Sequence, residues 1–368
     1  MTYAAAGVDV EAGDRAVELM KAAVARTHGP QVLGGIGGFA GLFDVSALKA
    51  YRRPLLASST DGVGTKVAIA QALGVHDTIG FDLVGMVVDD LVVCGARPLF
   101  MTDYIACGKV VPERIAAIVR GIAAACEQAG CALVGGETAE HPGLIPPDEY
   151  DVAGAATGVV EADALLGPDR VTPGDAVIAL ASSGLHSNGF SLVRRVLQVA
   201  GWSLERHVDE LGTTIGAEIL TPTRVYATDI LDLADALGPD LHAVSHVTGG
   251  GLAANLARVL PKPVTAVLDR ATWRPAPVFE VIARLGGIPQ ADQERTFNLG
   301  VGMVCVVENA RADDAVAHLT ARGMPAWRLG DVRTSAGLTA MPAYGETVVQ
   351  GAKGVDGGGV LLVGNHPR

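Results

Sequence analysis

Apolar residues recur at helical spacing in two long stretches of the chain. "PERIAAIVRGIAAACEQAG" (112–130) predicts the clearest helix. Pro112 suits its first turn, Glu113 favours the positive end of the dipole, and Gly130 stops it. "FDLVGMVVDDLVVCG" (81–95) has the same spacing and ends on Gly95. "PLLASST" (54–60) predicts a short buried strand and "TKVAIAQAL" (65–73) the helix after it, while "CALVGGET" and "YDVAGAATGVVE" predict further strands. In "GPDRVTPGDAVIALAS" (167–182) three turn signals precede a new buried strand, which sets a domain boundary near residue 170. Beyond it come helices near 189–200, 222–236, 252–260 and 277–285, and a strand at 299–307. The expected organisation is a first domain over 1–170, a second over 171–345, and a weakly patterned tail over 346–368. Mixed elements in both halves give an α/β (α+β) class.

The 368 residues, 49% of them hydrophobic, suffice for two cores. Lysine and arginine number 28 against 40 acidic residues, a net charge of −12. That balance excludes a general nucleic-acid or anionic-membrane binder, which needs a basic surface. A phosphorylated small molecule needs only local donors, and a polyphosphate would need a metal counterion. The five cysteines (94, 107, 126, 131 and 305) form no C-x-x-C pair and sit in apolar runs. They read as small packed hydrophobes in a reducing compartment. No basic, apolar leader opens the chain and no uncharged apolar stretch reaches about 18 residues, so a cytoplasmic protein is expected.

Glycine is abundant but clustered beside apolar runs, as turns with a purpose would be. "STDGVGTK" (59–66) looks like a phosphate loop in the wrong order, since Thr65 separates Gly64 from Lys66. Gly62 and Gly64 let backbone N–H groups face one anion, Thr65 opens a helix, Lys66 adds charge, and Asp61 suits a metal ion. A plain strand-to-helix turn explains the same residues equally well. Asp89 and Asp90 stand inside an apolar helix, which is costly for two ionised carboxylates unless one meets a cation or solvent. Glu137 and Glu140 in "GGETAEH" follow a strand, where surface acids are common. "SSGLHSNGF" and "HVTGGG" each place small polar groups, glycines and a histidine (His186, His246) before a helix, an arrangement suited to an anion or a ribose. No G-x-S-x-G nucleophile is present, and "GGIGGFAG" follows no strand as a dinucleotide fingerprint would.

In series, "AGVDVEAG", "GGIGGFAGLF", "STDGVGTK", "GFDLVGMVVDDL", "GARPLFMTDYIACGK", "GCALVGGETAEHPG", "SSGLHSNGFSL", "HVTGGG" and "RTFNLGVGM" resemble the phosphoribosylformylglycinamidine cyclo-ligases, or aminoimidazole ribonucleotide synthetases. The resemblance runs from about residue 3 to about residue 335. It implies ATP-dependent closure of formylglycinamidine ribonucleotide to aminoimidazole ribonucleotide, with ADP and phosphate released. It also implies a two-domain fold whose N-terminal domains pair in a homodimer, four strands from each chain building a β-barrel. By motif, Asp61, Gly62, Gly64, Thr65 and Lys66 would hold ATP, with Gly37 and Gly38 in a segment that closes over the triphosphate. Asp61, Asp90 and Glu137 would place Mg²⁺. Ser187, Asn188, His246, Thr248, Gly249 and Gly250 would hold substrate. Lys66 and His186 would be catalytic, His186 by handling protons.

Three positions depart from the family pattern: Asp89 for asparagine, Arg97 for glutamate and His141 for methionine. Relatives within the superfamily fit less well. A selenophosphate synthetase carries a reactive residue near its N-terminus, whereas the first cysteine here is Cys94. A hydrogenase-maturation dehydratase ends in cysteine, whereas this chain ends in "NHPR". A regulatory binding protein without activity would not need Asp61, Lys66 and Glu137 together.

Overall fold

A computed structural model describes residues 9–35, 37–335, 347–352 and 354–367, and separates them into two compact units. The first comprises the described residues within 9–91, 96–163 and 224–228, the second those within 92–95, 164–223 and 229–367.

The first unit is built on four strands, β1 (Pro54–Gly62), β2 (Arg97–Cys107), β3 (Ala132–Glu140) and β4 (Tyr150–Glu161), in the order β1-β4-β2-β3. β4 is antiparallel to both neighbours, and β2 and β3 run parallel, joined by a helix. Its longer helices are α1 (Val10–Arg26), α2 (Ile79–Val92) and α3 (Pro112–Ala129), and a short helix over Val67–Leu73 follows β1 where the sequence predicts one. Asp9 caps α1 by accepting the Ala12 N–H at 3.0 Å. α3 starts at Pro112 and stops at left-handed Gly130, as its sequence signals predict. Met101, Ile105, Val152 and Ala156 bury one face of the sheet. α2 and α3 touch backbone to backbone, because a Cβ on Gly80 would lie 2.1 Å from the Gly121 carbonyl carbon. The other face carries Leu56 (67% exposed), Thr60, Thr102 and Tyr104 (42% exposed). β1 is therefore an edge strand of alternating exposure, not the buried strand its composition predicts.

The second unit holds a seven-stranded sheet of β5 (Ala176–Ala181), β6 (Leu241–His246), β7 (Val264–Asp269), β8 (Val301–Val307), β9 (Ala326–Thr334), β10 (Thr347–Ala352) and β11 (Val355–Val363). The order is β6-β8-β5-β9-β7-β11-β10, antiparallel except for β7 and β11. Val177, Ala179, Leu252, Leu256, Leu268, Val304, Leu329 and Val360 form part of its core. The stretch expected as a tail thus supplies two strands of this sheet. Three of its glycines explain why. A Cβ on Gly357, Gly358 or Gly359 would come within 2.3, 2.6 or 2.8 Å of Ala257 O, Pro261 O or Thr265 Oγ1. These glycines fit a strand to a close neighbour, where the sequence reading took them for weak patterning. No helix among the described residues is long and apolar enough to cross a membrane.

Candidate functional site

In the first unit, strand register decides which acids meet. Asp61 pairs with Gly154, Gly154 with Asp103, and Asp103 with Gly136, one row across all four strands. The next row is Gly62, Ala153, Tyr104 and Glu137. Asp61 and Glu137 stand at opposite edges, three interstrand steps or about 14 Å apart. Asp90 lies on α2, exposed to solvent. Among the described residues no three His, Cys, Asp or Glu side chains are arranged to hold a metal ion. Of the expected metal acids, Asp61 and Glu137 thus stand on opposite edge strands of the sheet and Asp90 on a helix.

The same row contains an acid that sequence reading passed over. Asp103 is buried, and burial raises its pKa to about 7. Room for its carboxyl comes from the neighbouring strand, since a Cβ on Gly136 would lie 2.1 Å from Asp103 Oδ1. The only sequence signal was an acid inside the apolar run "LFMTDYIAC".

The "DGVGTK" segment leaves β1 and turns at Gly64, whose φ of 74° suits glycine. Asp61 Oδ1 accepts the Gly62 N–H at 2.7 Å, and Asp61, Gly64 and Thr65 are exposed. Lys66 is placed otherwise than its motif suggests. It is fully buried, and its Nζ meets Asp82 Oδ1 of α2 at 2.8 Å. Burial pulls the ammonium pKa below its ordinary value, against the opposing influence of Asp82. Asp89 is also buried, and both of its oxygens accept the Tyr226 N–H, at 3.0 and 3.1 Å. That contact ties residues 224–228 to α2 within the first unit, and an asparagine Oδ1 could accept the same N–H, so it does not explain the departure. Of the other departures, His141 Nε2 lies 3.3 Å from the Tyr104 hydroxyl, and Arg97 is exposed. Gly37 and Gly38 are exposed and irregular, and Ile36 between them and Gly35 lies outside the described residues.

In the second unit the two histidine-glycine segments do meet. β5 ends where residues 182–189 lead into α4 (Phe190–Ala200), and β6 ends where residues 247–250 lead into α5 (Gly251–Leu256). Asn188 Oδ1 accepts the Gly249 N–H at 2.9 Å and ties the loops together. Asn255 Nδ2 donates to the carbonyls of Thr248 and Gly251, fixing the second loop to its helix. A third loop joins them from α6 (Gln290–Thr296). There Asn298 Nδ2 donates to Gly184 O at 2.9 Å, and its Oδ1 accepts from Ser182 Oγ and the Gly300 N–H. Sequence reading missed Asn298 and Asn255, whose types are ordinary in loops and helices. Ser187 and His246 are buried, while Thr248, Gly249 and Gly250 are partly exposed.

His186 adopts the left-handed conformation (φ 59°) that side chains rarely take, and it is buried. Its Nε2 accepts the Ser183 N–H at 3.1 Å, so that nitrogen carries no proton. Through that bond the ring closes its own loop.

Comparison with known proteins adds to this geometry. The family models described as "AIR synthase related protein, N-terminal domain" and "AIR synthase related protein, C-terminal domain" match residues 44–160 and 172–341. A protein of Sorangium cellulosum (strain So ce56) named phosphoribosylformylglycinamidine cyclo-ligase is 51% identical over 333 residues, 90% of this chain and 95% of that one. A protein of the same name from Geobacillus kaustophilus (strain HTA426) is 48% identical, over 92% and 97% of the two chains. Among solved structures, thiamine-monophosphate kinase from Stenotrophomonas maltophilia K279a superposes with a TM-score of 0.64 at 21% identity, over 92% and 96% of the chains. Hydrogenase maturation protein HypE in complex with ATP gives 0.61 at 22% identity, over 95% and 94%. These two likenesses speak to the fold alone.

Proposed function

The chain belongs to the phosphoribosylformylglycinamidine cyclo-ligase family, and on that premise we propose which of its groups serve each step of the reaction. It is an ATP-dependent ligase of purine biosynthesis, closing formylglycinamidine ribonucleotide to 5-aminoimidazole ribonucleotide with release of ADP and phosphate. The chemistry sets the requirements. A formamide oxygen is a poor leaving group, so ATP first phosphorylates it; the ribose-bearing amidine nitrogen then attacks the activated carbon, and phosphate departs. Such transfers depend on positioning and charge neutralisation more than on a nucleophilic side chain.

We assign the loops 182–189 and 247–251 to the nucleotide substrate. The observation that carries the assignment is the Asn188 to Gly249 bond, which joins two glycine loops that each open a helix. Exposed Asp61, Gly64 and Thr65 are assigned to the triphosphate, and Lys66 to holding that segment in place through Asp82. Mg²⁺ is hard and keeps oxygen ligands, and on ATP it uses phosphate oxygens with one or two carboxylates. The separated acids of one chain do not fit a resident three-carboxylate site, so the metal is assigned to the incoming nucleotide, where it neutralises phosphate charge. Release of ADP that depends on the amidine nucleotide, followed in a coupled assay, tests the whole reading. ADP release with thiamine monophosphate and none with the amidine would overturn it.

Replacing Asn188 with alanine removes the acceptor of the Gly249 N–H. Leaving such a donor without its partner costs about 1–3 kcal/mol, so Asn188→Ala is expected to raise KM for the amidine nucleotide roughly tenfold. Steady-state kinetics with each substrate varied in turn provide the measurement, and an unchanged KM would remove the substrate from these loops.

We further infer that the uncovered face of the β1-β4-β2-β3 sheet is closed by the same face of a second copy, as the resemblance to barrel-forming dimers implies. Leu56 and Tyr104 lie exposed on this face and would then be covered. Sedimentation equilibrium is expected to give a dimer throughout the micromolar range, whereas a folded, active monomer there would refute the closure.

A further inference from the structure

The residues after β11 contact the loop region in an unusual way. Arg270, which follows β7, is buried and grips Glu294 of α6 with a two-point fork, Nε to Oε1 at 2.8 Å and Nη2 to Oε2 at 3.1 Å. Its remaining nitrogen, Nη1, donates to the carbonyls of Leu362 and Gly364, both at 3.1 Å. The same guanidinium therefore fixes α6 and the segment leaving β11. Gln290 supports the carboxylate from within α6, its Nε2 donating to Glu294 Oε1 at 2.9 Å.

A second tether runs in parallel. The His366 ring meets Trp273 edge-on at 4.5 Å, and its Nδ1 lies 3.2 Å from Trp273 O. Trp273 Nε1 in turn donates to Leu299 O at 2.9 Å. Gly364, with φ 69°, lets the chain pass beneath Asp269, where a Cβ would stand 2.6 Å from Oδ1.

What α6 controls gives these tethers meaning. The carbonyl of Glu294 would lie 1.8 Å from a Cβ on Gly251, so α6 sits directly against the end of the "HVTGGG" loop. Two residues after α6 comes Asn298, which holds Gly184 and Ser182 of the other loop. A displacement of α6 is thus felt by both loops.

We propose that residues 362–366 act as a strap that, through Arg270 and Trp273, sets the position of α6 and hence the shape of the two substrate loops. Arg270 and Glu294 are positioning residues in this scheme and touch no reacting atom. The proposal rests on the assignment of those loops to the nucleotide substrate.

The test uses the full-length enzyme beside a chain ending at Val363, which keeps β11 but loses Gly364 and His366, and beside Arg270→Lys, which keeps the charge but loses the fork. Steady-state kinetics and amide hydrogen exchange are measured on each. Both variants are expected to raise KM for the amidine nucleotide at least fivefold while KM for ATP stays within twofold. Exchange is expected to quicken in residues 184–189 and 249–251 before it does in β5 and β8. Should the shortened chain aggregate, Arg270→Lys carries the test alone. Unchanged KM and exchange in a folded variant, with Asn188→Ala still impaired, would overturn the strap and leave the loop assignment standing. If Asn188→Ala is also unimpaired, the loop assignment falls, and unchanged loop exchange would then dispose of the strap as well.

Discussion

Lys66→Met is expected to unfold the first unit at a markedly lower temperature, an effect larger than any surface change in the chain. Lys66 is fully buried against Asp82, and both side chains are inaccessible. Removing one member of a buried pair leaves the other charge in a poor dielectric, at a cost of about 3–5 kcal/mol. Whole domains are stable by only about 5–15 kcal/mol. The companion change decides the cause. Lys66→Met with Asp82→Leu removes both charges and keeps apolar volume, and it is expected to recover most of the lost stability. Thermal melts of the two single variants and the double variant form the cycle, in which strict additivity would show that the pair is not coupled. The result bears on catalysis too. Low turnover in a Lys66 variant counts as a lost phosphate contact only when its melt matches the parent protein's.

Asp103 gives the second large effect, and it depends on pH. Its folded-state pKa of about 7 lies above the ordinary value of 3.8 for an aspartate, so the native state holds its proton more tightly than the unfolded chain does. The contribution to stability is therefore full below pH 4, declines as pH rises from about 4 to 7, and is flat above that. The span between those two pKa values corresponds to a change on the order of 4 kcal/mol. Asp103→Asn, neutral throughout, is expected to lose this slope and to melt above the parent protein at pH 8. Melting curves of the nucleotide-free proteins from pH 4 to pH 8 measure it, and parallel pH profiles would show that Asp103 ionises without penalty. Gly136 belongs to the same prediction, because a larger residue there would collide with the Asp103 carboxyl.

Much of the architecture was legible wherever a local signal sufficed. Pro112 and Gly130 bracket their helix as expected, and the glycine loops before α4 and α5 stand where the sequence puts them. What could not be read depends on partners distant in the chain. Lys66 and Asp82 are 16 residues apart, and nothing in "DGVGTK" says that its lysine turns inward to α2 rather than outward to a ligand. Asp103 has room for its carboxyl because Gly136 stands opposite it on the flanking strand, which becomes visible only once register is known. The same register puts Asp61 and Glu137, which motif matching groups together, on opposite edges of a sheet. β1 was misjudged because an apolar composition does not reveal whether a strand is central or at an edge. For the glycine-rich β11, backbone contacts replace the apolar alternation by which strands are usually found.

The place of β11 also has a consequence for how the molecule is made. This strand follows every other strand of its sheet in sequence, yet it lies inside the sheet, between β7 and β10. A ribosome delivers the chain from its first residue onward, so β7 emerges nearly a hundred residues before the neighbour that will cover it. During that interval the row of backbone groups in "VTAVLD" on its outer side has nothing to pair with, and such edges recruit other chains. Nascent chains stalled or cleaved before residue 355 are therefore expected to be the species that chaperones must shield, whereas chains released after Val363 have already covered the edge.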